Sequence, residues 1–115
     1  MKKDESFMRY IVEEVLREVP GIACRRMFGG WGIYKDGVFF ALIDRGRLYF
    51  RVDERTLPNY QRMGSQPFVY SGPQGKPMTM NYWELPAEVM DNPYEVSRWV
   101  EGAYMASLRE KKRKK

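Results

Sequence analysis

Residues 26–37 read Arg26-Met27-Phe28-Gly29-Gly30-Trp31-Gly32-Ile33-Tyr34-Lys35-Asp36-Gly37. Three glycines in four positions lie between two strand-like runs, and Asp36-Gly37 is typical of a tight hairpin turn. Glycine weakens a strand unless the backbone bends or another segment approaches closely. We therefore predict a bulged β-hairpin, in which the glycines shape the backbone and let Phe28 and Trp31 pack closely.

A ligand-binding loop is the less favoured interpretation of this glycine segment. It lacks the G-x-G-x-x-G and G-x-x-x-x-G-K-[ST] spacings, and it connects two strands. A phosphate-binding loop depends on the helix N-terminus that follows it. No catalytic side chain is predicted within the segment.

Further strands extend outward from the glycine hairpin. Residues 38–43 are apolar on both faces, which is typical of a central strand, and residues 47–52 alternate. In that alternation Leu48, Phe50 and Val52 are predicted to point inward, and Arg47, Tyr49 and Arg51 outward. Residues 68–70 and 78–83 predict two more strands around a Gly/Pro turn. The short connections imply antiparallel pairing.

Three segments have helical periodicity. Residues 4–19 repeat apolar side chains every three to four positions and stop at Pro20-Gly21. Residues 54–63 predict a short helix, and a third begins after the capping residue Asn92 and continues to about residue 108. The order is helix, strand meander, helix, two strands, helix. It predicts a two-layer α+β domain with a mainly antiparallel sheet.

Composition limits the chemistry that the chain can perform. Its 115 residues are enough for one domain, and they contain no histidine and one cysteine, Cys24. A Ser/His/Asp triad and a histidine- or cysteine-based zinc site are therefore excluded. We expect no enzyme activity and no cofactor. Since no apolar run reaches the length of a membrane span, we also expect a cytoplasmic protein with no membrane association.

The positive charge is concentrated at one end of the sequence. Residues 109–115 hold six basic residues and one acidic residue, which accounts for the whole net charge of +5. We predict a domain over residues 1–108 followed by a basic tail over 109–115, which is solvated. The alternative is sequence-independent contact with nucleic acid phosphates. The residues that would make it are Arg109, Lys111, Lys112, Arg113, Lys114 and Lys115.

An aromatic surface on the sheet is the leading candidate for a binding site. Alternate side chains of the last two strands face away from the core, and aromatic and methionine side chains are enriched in partner sites. Together with the glycine hairpin, this surface predicts a protein-binding module that is a monomer or a homodimer. The candidate partner-binding residues are Phe28, Gly29, Gly30, Trp31, Tyr49, Tyr82 and Trp83.

The sequence resembles the N-terminal domain of the TfoX/Sxy family over about residues 5–108. The resemblance is carried by residues 26–34, 36–42, 48–53 and 64–68, and by Pro77-Met78-Thr79-Met80-Asn81-Tyr82-Trp83-Glu84-Leu85-Pro86. It implies a secretion-chaperone-like two-layer fold, bacterial origin and a stand-alone form without the family's separate C-terminal domain. It also implies regulation of natural competence, in which members act as transcriptional co-activators with the cAMP receptor protein. The family supplies no catalytic residues.

Overall fold

The structure is a computed structural model that describes residues 2–27, 29–71 and 73–113. Phe28, Lys114 and Lys115, which were predicted to contact partners, lie outside these ranges. The helices and strands are α1 Lys2–Tyr10, a π-helical turn Ile11–Val15, β1 Ile22–Met27, β2 Gly30–Lys35, β3 Val38–Asp44, β4 Arg47–Arg51, α2 Leu57–Arg62, β5 Pro67–Ser71, a 3-10 turn Pro73–Gly75, β6 Pro77–Glu84, α3 Ala87–Met90 and α4 Pro93–Arg113.

Two tight turns build the meander, and the first of them is the Asp36-Gly37 turn that the sequence predicted. Asp36 and Gly37 have φ angles of 49° and 81°, and Arg45 and Gly46 have φ angles of 53° and 75°. Two consecutive residues with positive φ are the signature of the turn whose twist matches antiparallel strands. Each turn consequently joins its strands through a two-residue connection.

The sheet is antiparallel throughout, in the order β1-β2-β3-β4-β6-β5. The predicted α+β class is confirmed. Since β6 lies between β4 and β5, the last two strands extend the meander in reversed order, and β1 and β5 form the two edges. Pro77 is the first residue of β6, where a proline costs no internal ladder hydrogen bond.

The helices pack against one face of this sheet. The main core joins helical side chains to the inward-facing side chains of β2, β3 and β4. Its members include Ile11, Val15, Leu16, Ile33, Phe40, Ile43, Leu48, Phe50, Val96, Val100 and Ala103. The second face carries a smaller cluster of Leu42, Tyr49 and Tyr82, which contains no helical residue from the described ranges. We call this second face the open face.

The helices differ from the sequence prediction in several places, including α2, which begins at Leu57, and α4, which continues to Arg113. The first helix changes at Ile11 into the π-helical turn, where the Leu16 N–H donates to the Ile11 carbonyl at 2.8 Å, and it does not reach Val19. An apolar repeat at every fourth residue fits either helix type, so the pattern could not reveal the change. The 3-10 turn and α3 were not predicted. Asn92 does cap α4, since its Oδ1 accepts from the Tyr94 N–H at 3.1 Å.

No helix in the described part of the chain is both long enough and apolar enough to span a bilayer.

Candidate functional site: an apolar groove on the open face of the sheet

The glycine hairpin is a regular β1–β2 pair. Its register runs without a shift from Ile22↔Lys35 to Met27↔Gly30, so the predicted bulge within this hairpin is wrong. The irregularity lies in the next pair, β2–β3, between Ile33 and Tyr34. Glycine composition marked the neighbourhood correctly, but an inserted residue is set by both partner strands.

Close packing explains Gly30 and Gly32. A Cβ on Gly30 would lie 2.0 Å from the Ile43 carbonyl oxygen, and one on Gly32 would lie 2.9 Å from Met27 Cε. Gly29 has a φ of +80° and no atom near a Cβ position. These glycines therefore serve the turn and the approach of neighbouring strands. They leave Met27 and Phe39 side by side over Gly32 on the open face.

Tyr49 and Tyr82 are buried, although both were predicted to face a partner. Only 8% of Tyr49 and 2% of Tyr82 is exposed. The outward orientation of Tyr49 relative to the helices is correct, but its exposure is not. It lies against Phe68, with ring centroids 5.1 Å apart. These tyrosines form the floor of the open face and support the side chains above them.

An apolar groove of about 480 Å³ lies beside these tyrosines on the open face, and Phe39, Leu42 and Phe68, which pack with them, form part of its lining. Strands from both sides of the sheet enclose it: β1, β2 and β3 line one wall, and the edge strand β5 lines the other. The lining residues are Met27, Trp31, Phe39, Leu42, Ile43, Asp44, Arg45, Phe68, Val69 and Tyr70. Its volume lies within the range of about 300–1,000 Å³ that small-ligand sites occupy.

The groove is apolar apart from one end. Asp44 and Arg45 supply its two charges, and Arg45 Nε lies 3.8 Å from Asp44 Oδ2. The side wall formed by β5 is solvent-exposed, with 52% of Val69 and 39% of Tyr70 accessible. Exposed aromatic and aliphatic groups beside a concave surface are a signature of partner binding.

A line of aromatic rings crosses the open face beside the groove. The Tyr34 and Phe39 ring centroids are 5.3 Å apart, and those of Phe39 and Tyr82 are 5.6 Å apart. Arginines stack on both ends, with Arg25 Cζ 5.7 Å from the Tyr34 centroid and Arg51 Cζ 5.5 Å from that of Tyr82. These contacts lie within the range of cation–π attraction. They hold the rings in place and put an arginine at each end of the line.

The two predicted tryptophans belong mainly to the main core. Trp31 and Trp83 are partly buried and pack against it from the helix side. Trp31 also borders the groove, and the Arg26 guanidinium stacks over it with Cζ 4.4 Å from the ring centroid. Trp83 is not among the described residues that line the groove. The structure thus places Trp31 at the groove and Trp83 away from it.

The basic segment begins inside the folded domain. Helix α4 continues to Arg113, and Arg109 Nε donates to Asp53 Oδ2 at 2.7 Å. Arg51 Nη2 lies 3.4 Å from Glu110 Oε1. The first predicted phosphate contact, Arg109, is therefore engaged in an ion pair, while the next two basic residues, Lys111 and Lys112, are exposed.

Two further features carry little chemistry. A cleft of about 400 Å³ between α2 and α4 is lined by polar and apolar groups, including Arg62, Glu95 and Arg98. Burial raises the pKa of the Cys24 thiol, which argues against the activated thiolate that its arginine neighbours could suggest. Within the described ranges there is no group of three or more acidic or cysteine side chains placed to hold a metal ion.

Sequence reasoning missed several groove residues. Met27, Phe39 and Phe68 read as ordinary strand positions, and Val69 and Tyr70 as part of a hairpin. The uncharged composition of 67–71 was the available signal, because an exposed strand usually carries a charge. The order of β5 and β6, which brings these residues beside β3, leaves no mark in local sequence.

Two comparisons with known proteins bear on the chain. The family profile described as the TfoX N-terminal domain matches residues 14–107 of the 115-residue sequence. The matched range runs from the π-helical turn through most of α4, so it includes every strand and the whole groove. No curated protein matches the chain.

Proposed function

Because the chain belongs to the TfoX N-terminal domain family, we propose that it is a non-enzymatic regulatory module that binds a protein partner. The groove on the open face is the observation that carries this proposal. It is apolar, preformed and flanked by exposed Val69 and Tyr70. Covering such a surface is favourable, since burial of one exposed aliphatic or aromatic side chain contributes about 1.5–3 kcal/mol.

Composition supports the non-enzymatic part of the proposal. The sequence lacks histidine, the most frequent general base, and the two charged groups lining the groove pair with each other. Catalysis needs a polar group whose protonation or charge is available to a substrate. The groove offers a concave apolar surface in place of such a polar group, and this surface suits recognition of a protein partner.

The resemblance to competence regulators supports a more specific role. We assign the partner to the transcription machinery, and we place the protein in the cytoplasm as a monomer or homodimer. Fold and family alone do not determine function, so this assignment depends on identifying the partner. The groove provides the surface on which that partner can be mapped.

A capture experiment with matched variants tests the module. Tyr70→Ser removes an exposed ring from the groove, and the control Tyr94→Ser removes an exposed ring from α4, which contributes no residue to the described groove lining. We expect wild-type and Tyr94→Ser protein to capture the same partner from the native cell, and Tyr70→Ser to lose at least tenfold. Capture that is unchanged by Tyr70→Ser, or no capture at any ionic strength, would overturn the proposal.

Nucleic acid binding is the second candidate function. It is favoured by exposed Lys111 and Lys112 on the last turns of α4. Each phosphate contact makes binding weaker as salt rises, with a slope of about −0.9 in log–log form for B-DNA. The double variant Lys111→Ala/Lys112→Ala should therefore flatten this slope by about two. The control Arg9→Ala/Arg17→Ala removes equal charge elsewhere, and an equal effect from it would argue against a helix-specific site.

A further inference from the structure

The two edges of the sheet are protected very differently. Strand β1 carries Arg25 and Arg26, both exposed, and charges on an edge strand discourage pairing with another chain. Strand β5 reads Pro67-Phe68-Val69-Tyr70-Ser71 and carries no charge. Within the described residues β6 is the only strand paired with β5, so one side of its backbone is unpaired by any strand.

This unprotected edge forms the wall of the groove. The Phe68 and Tyr70 rings stack with centroids 6.1 Å apart, and Phe68 contacts Tyr49 on the floor. A chain laid along β5 would consequently send every second side chain into the apolar groove. Main-chain hydrogen bonds and side-chain pockets would then act together, which is the basis of recognition by strand addition.

Charge selects between the kinds of chain that could occupy this edge. Asp44 and Arg45 pair with each other and sum to zero, while the exposed Arg25, which stacks on Tyr34 beside the lining residue Phe39, adds a positive charge at this rim of the groove. A second copy would bring the same positive rim, which opposes association there. An acidic chain would be attracted to the rim.

We propose that the free edge of β5 binds an extended, apolar segment of an acidic protein partner, by strand addition. The alternate apolar side chains of that segment fill the groove, and its acidic residues lie beside Arg25 and Arg45. This inference rests on the proposed function, and it specifies how the partner binds.

A library of random twelve-residue peptides, displayed and selected against the full chain, provides the probe. We expect the enriched peptides to alternate β-branched or aromatic residues and to contain aspartate or glutamate. N-methylation of the edge-pairing amides of one such peptide should weaken binding at least tenfold, because it removes the main-chain donors. Hydrogen exchange should show new protection at amides within Pro67–Ser71.

Charge variants test the rim. Arg45→Asn keeps a residue that tolerates positive φ, and it should weaken peptide binding about threefold and reduce its salt dependence. Arg55→Asn, an exposed arginine remote from the groove lining, is the control and should have no effect. Equal losses in the two variants would contradict the placement of the acidic residues.

The outcomes separate this inference from the proposed function. Peptides with helical spacing, or peptides that need Tyr70 but leave β5 amides unprotected, overturn strand addition and retain a binding module. Self-association that protects β5 in the unliganded chain assigns the edge to a second copy and overturns the acidic partner. If no peptides are enriched and cellular capture does not depend on Tyr70, both the strand-addition inference and the proposed function are overturned.

Discussion

Asp53 links two segments that are 56 residues apart in sequence. Its carboxylate accepts from the Arg109 guanidinium and from the backbone N–H groups of Arg55 and Thr56. Both partners of the ion pair are largely shielded from solvent, with 20% and 29% of their side chains exposed. The contact therefore ties the last turns of α4 to the segment after β4, where Asp53 also holds the turn that precedes α2.

Replacing Asp53 should destabilise the fold measurably. Hydrogen bonds to charged groups contribute about 1.5–3 kcal/mol, so we expect Asp53→Asn to lower the free energy of unfolding by about that amount. Urea unfolding at pH 7 measures the change. Glu13→Gln breaks the exposed Arg9–Glu13 pair and should cost under about 0.5 kcal/mol. Similar losses in both variants would show that the Asp53 site is no stronger than a surface pair.

The same carboxylate predicts a pH dependence. Partial burial raises the pKa of Asp53, but the hydrogen bonds from Arg109 and the two backbone N–H groups outweigh it and hold the pKa below its ordinary value of 3.8. A lowered folded-state pKa stabilises the protein above the unfolded pKa, and this contribution is lost as pH falls below 3.8. The stability difference between wild type and Asp53→Asn should therefore shrink under acid conditions, as unfolding curves at successive pH values would show.

Ser107 shows the opposite case of a polar group without compensation. It is a buried residue of α4, and its hydroxyl has no hydrogen-bond partner among the described residues. Ser107→Ala should stabilise the protein by up to about 1–2 kcal/mol, because it removes a desolvated hydroxyl and improves helix propensity. Thermal unfolding measures this effect. In the control, Ser97→Ala removes a hydroxyl that donates to the Tyr94 carbonyl at 2.9 Å, and no comparable gain is expected. A loss of stability in Ser107→Ala would contradict the assignment.

At the scale of the element, the glycine hairpin shows two different reasons why a position requires glycine. Gly30→Ala should destabilise by about 1–3 kcal/mol or more, because the new methyl would collide with the Ile43 carbonyl and force β2 and β3 apart. Gly29→Ala meets no atom and should cost about 1–2 kcal/mol from its positive φ alone. Urea unfolding of the two variants provides the ranking. A smaller loss for Gly30→Ala would show that the strands separate easily.

Most helices and strands could be predicted because their signals are local. The Asp36-Gly37 turn, the Asn92 cap and the alternation of Leu48 with Phe50 each depend on a few adjacent residues, and each appears in the structure. The π-helical turn was missed because it preserves the apolar spacing of an α-helix. Turn chemistry and periodicity therefore account for the helices and strands, but less well for their irregularities.

At the scale of the whole molecule, the groove depends on contacts between distant segments. Tyr49 is buried because β6 pairs with β4 and β5 pairs with β6. This pairing places the side chains of Tyr82 and Phe68 beside Tyr49 on the open face. Alternation correctly separated the two faces of β4, yet it could not show what covers the second one. The order of strands in a sheet is set by long-range pairing. The sequence therefore identified Trp31 at the groove, but it did not identify the lining residues that the pairing of β5 and β6 brings beside β3.

This arrangement places two apolar clusters on opposite faces of one sheet, and they should unfold together. Leu42→Ala in the open-face cluster should cost about 2–5 kcal/mol, since that is the usual range for a buried leucine. All three tryptophans pack against the main core, and Trp83 and Trp99 are not in the groove lining, so their fluorescence reports mainly the other face. In urea, the fluorescence and far-ultraviolet circular dichroism midpoints should fall together with unchanged slope, as for two-state unfolding. Ile33→Ala, in the main core, is the control and should shift both signals equally.

If Leu42→Ala moves the dichroism midpoint and leaves the fluorescence midpoint at its wild-type value, the open face unfolds separately from the main core. Its groove would then be a locally unstable surface, and the preformed site on which partner binding depends would be lost.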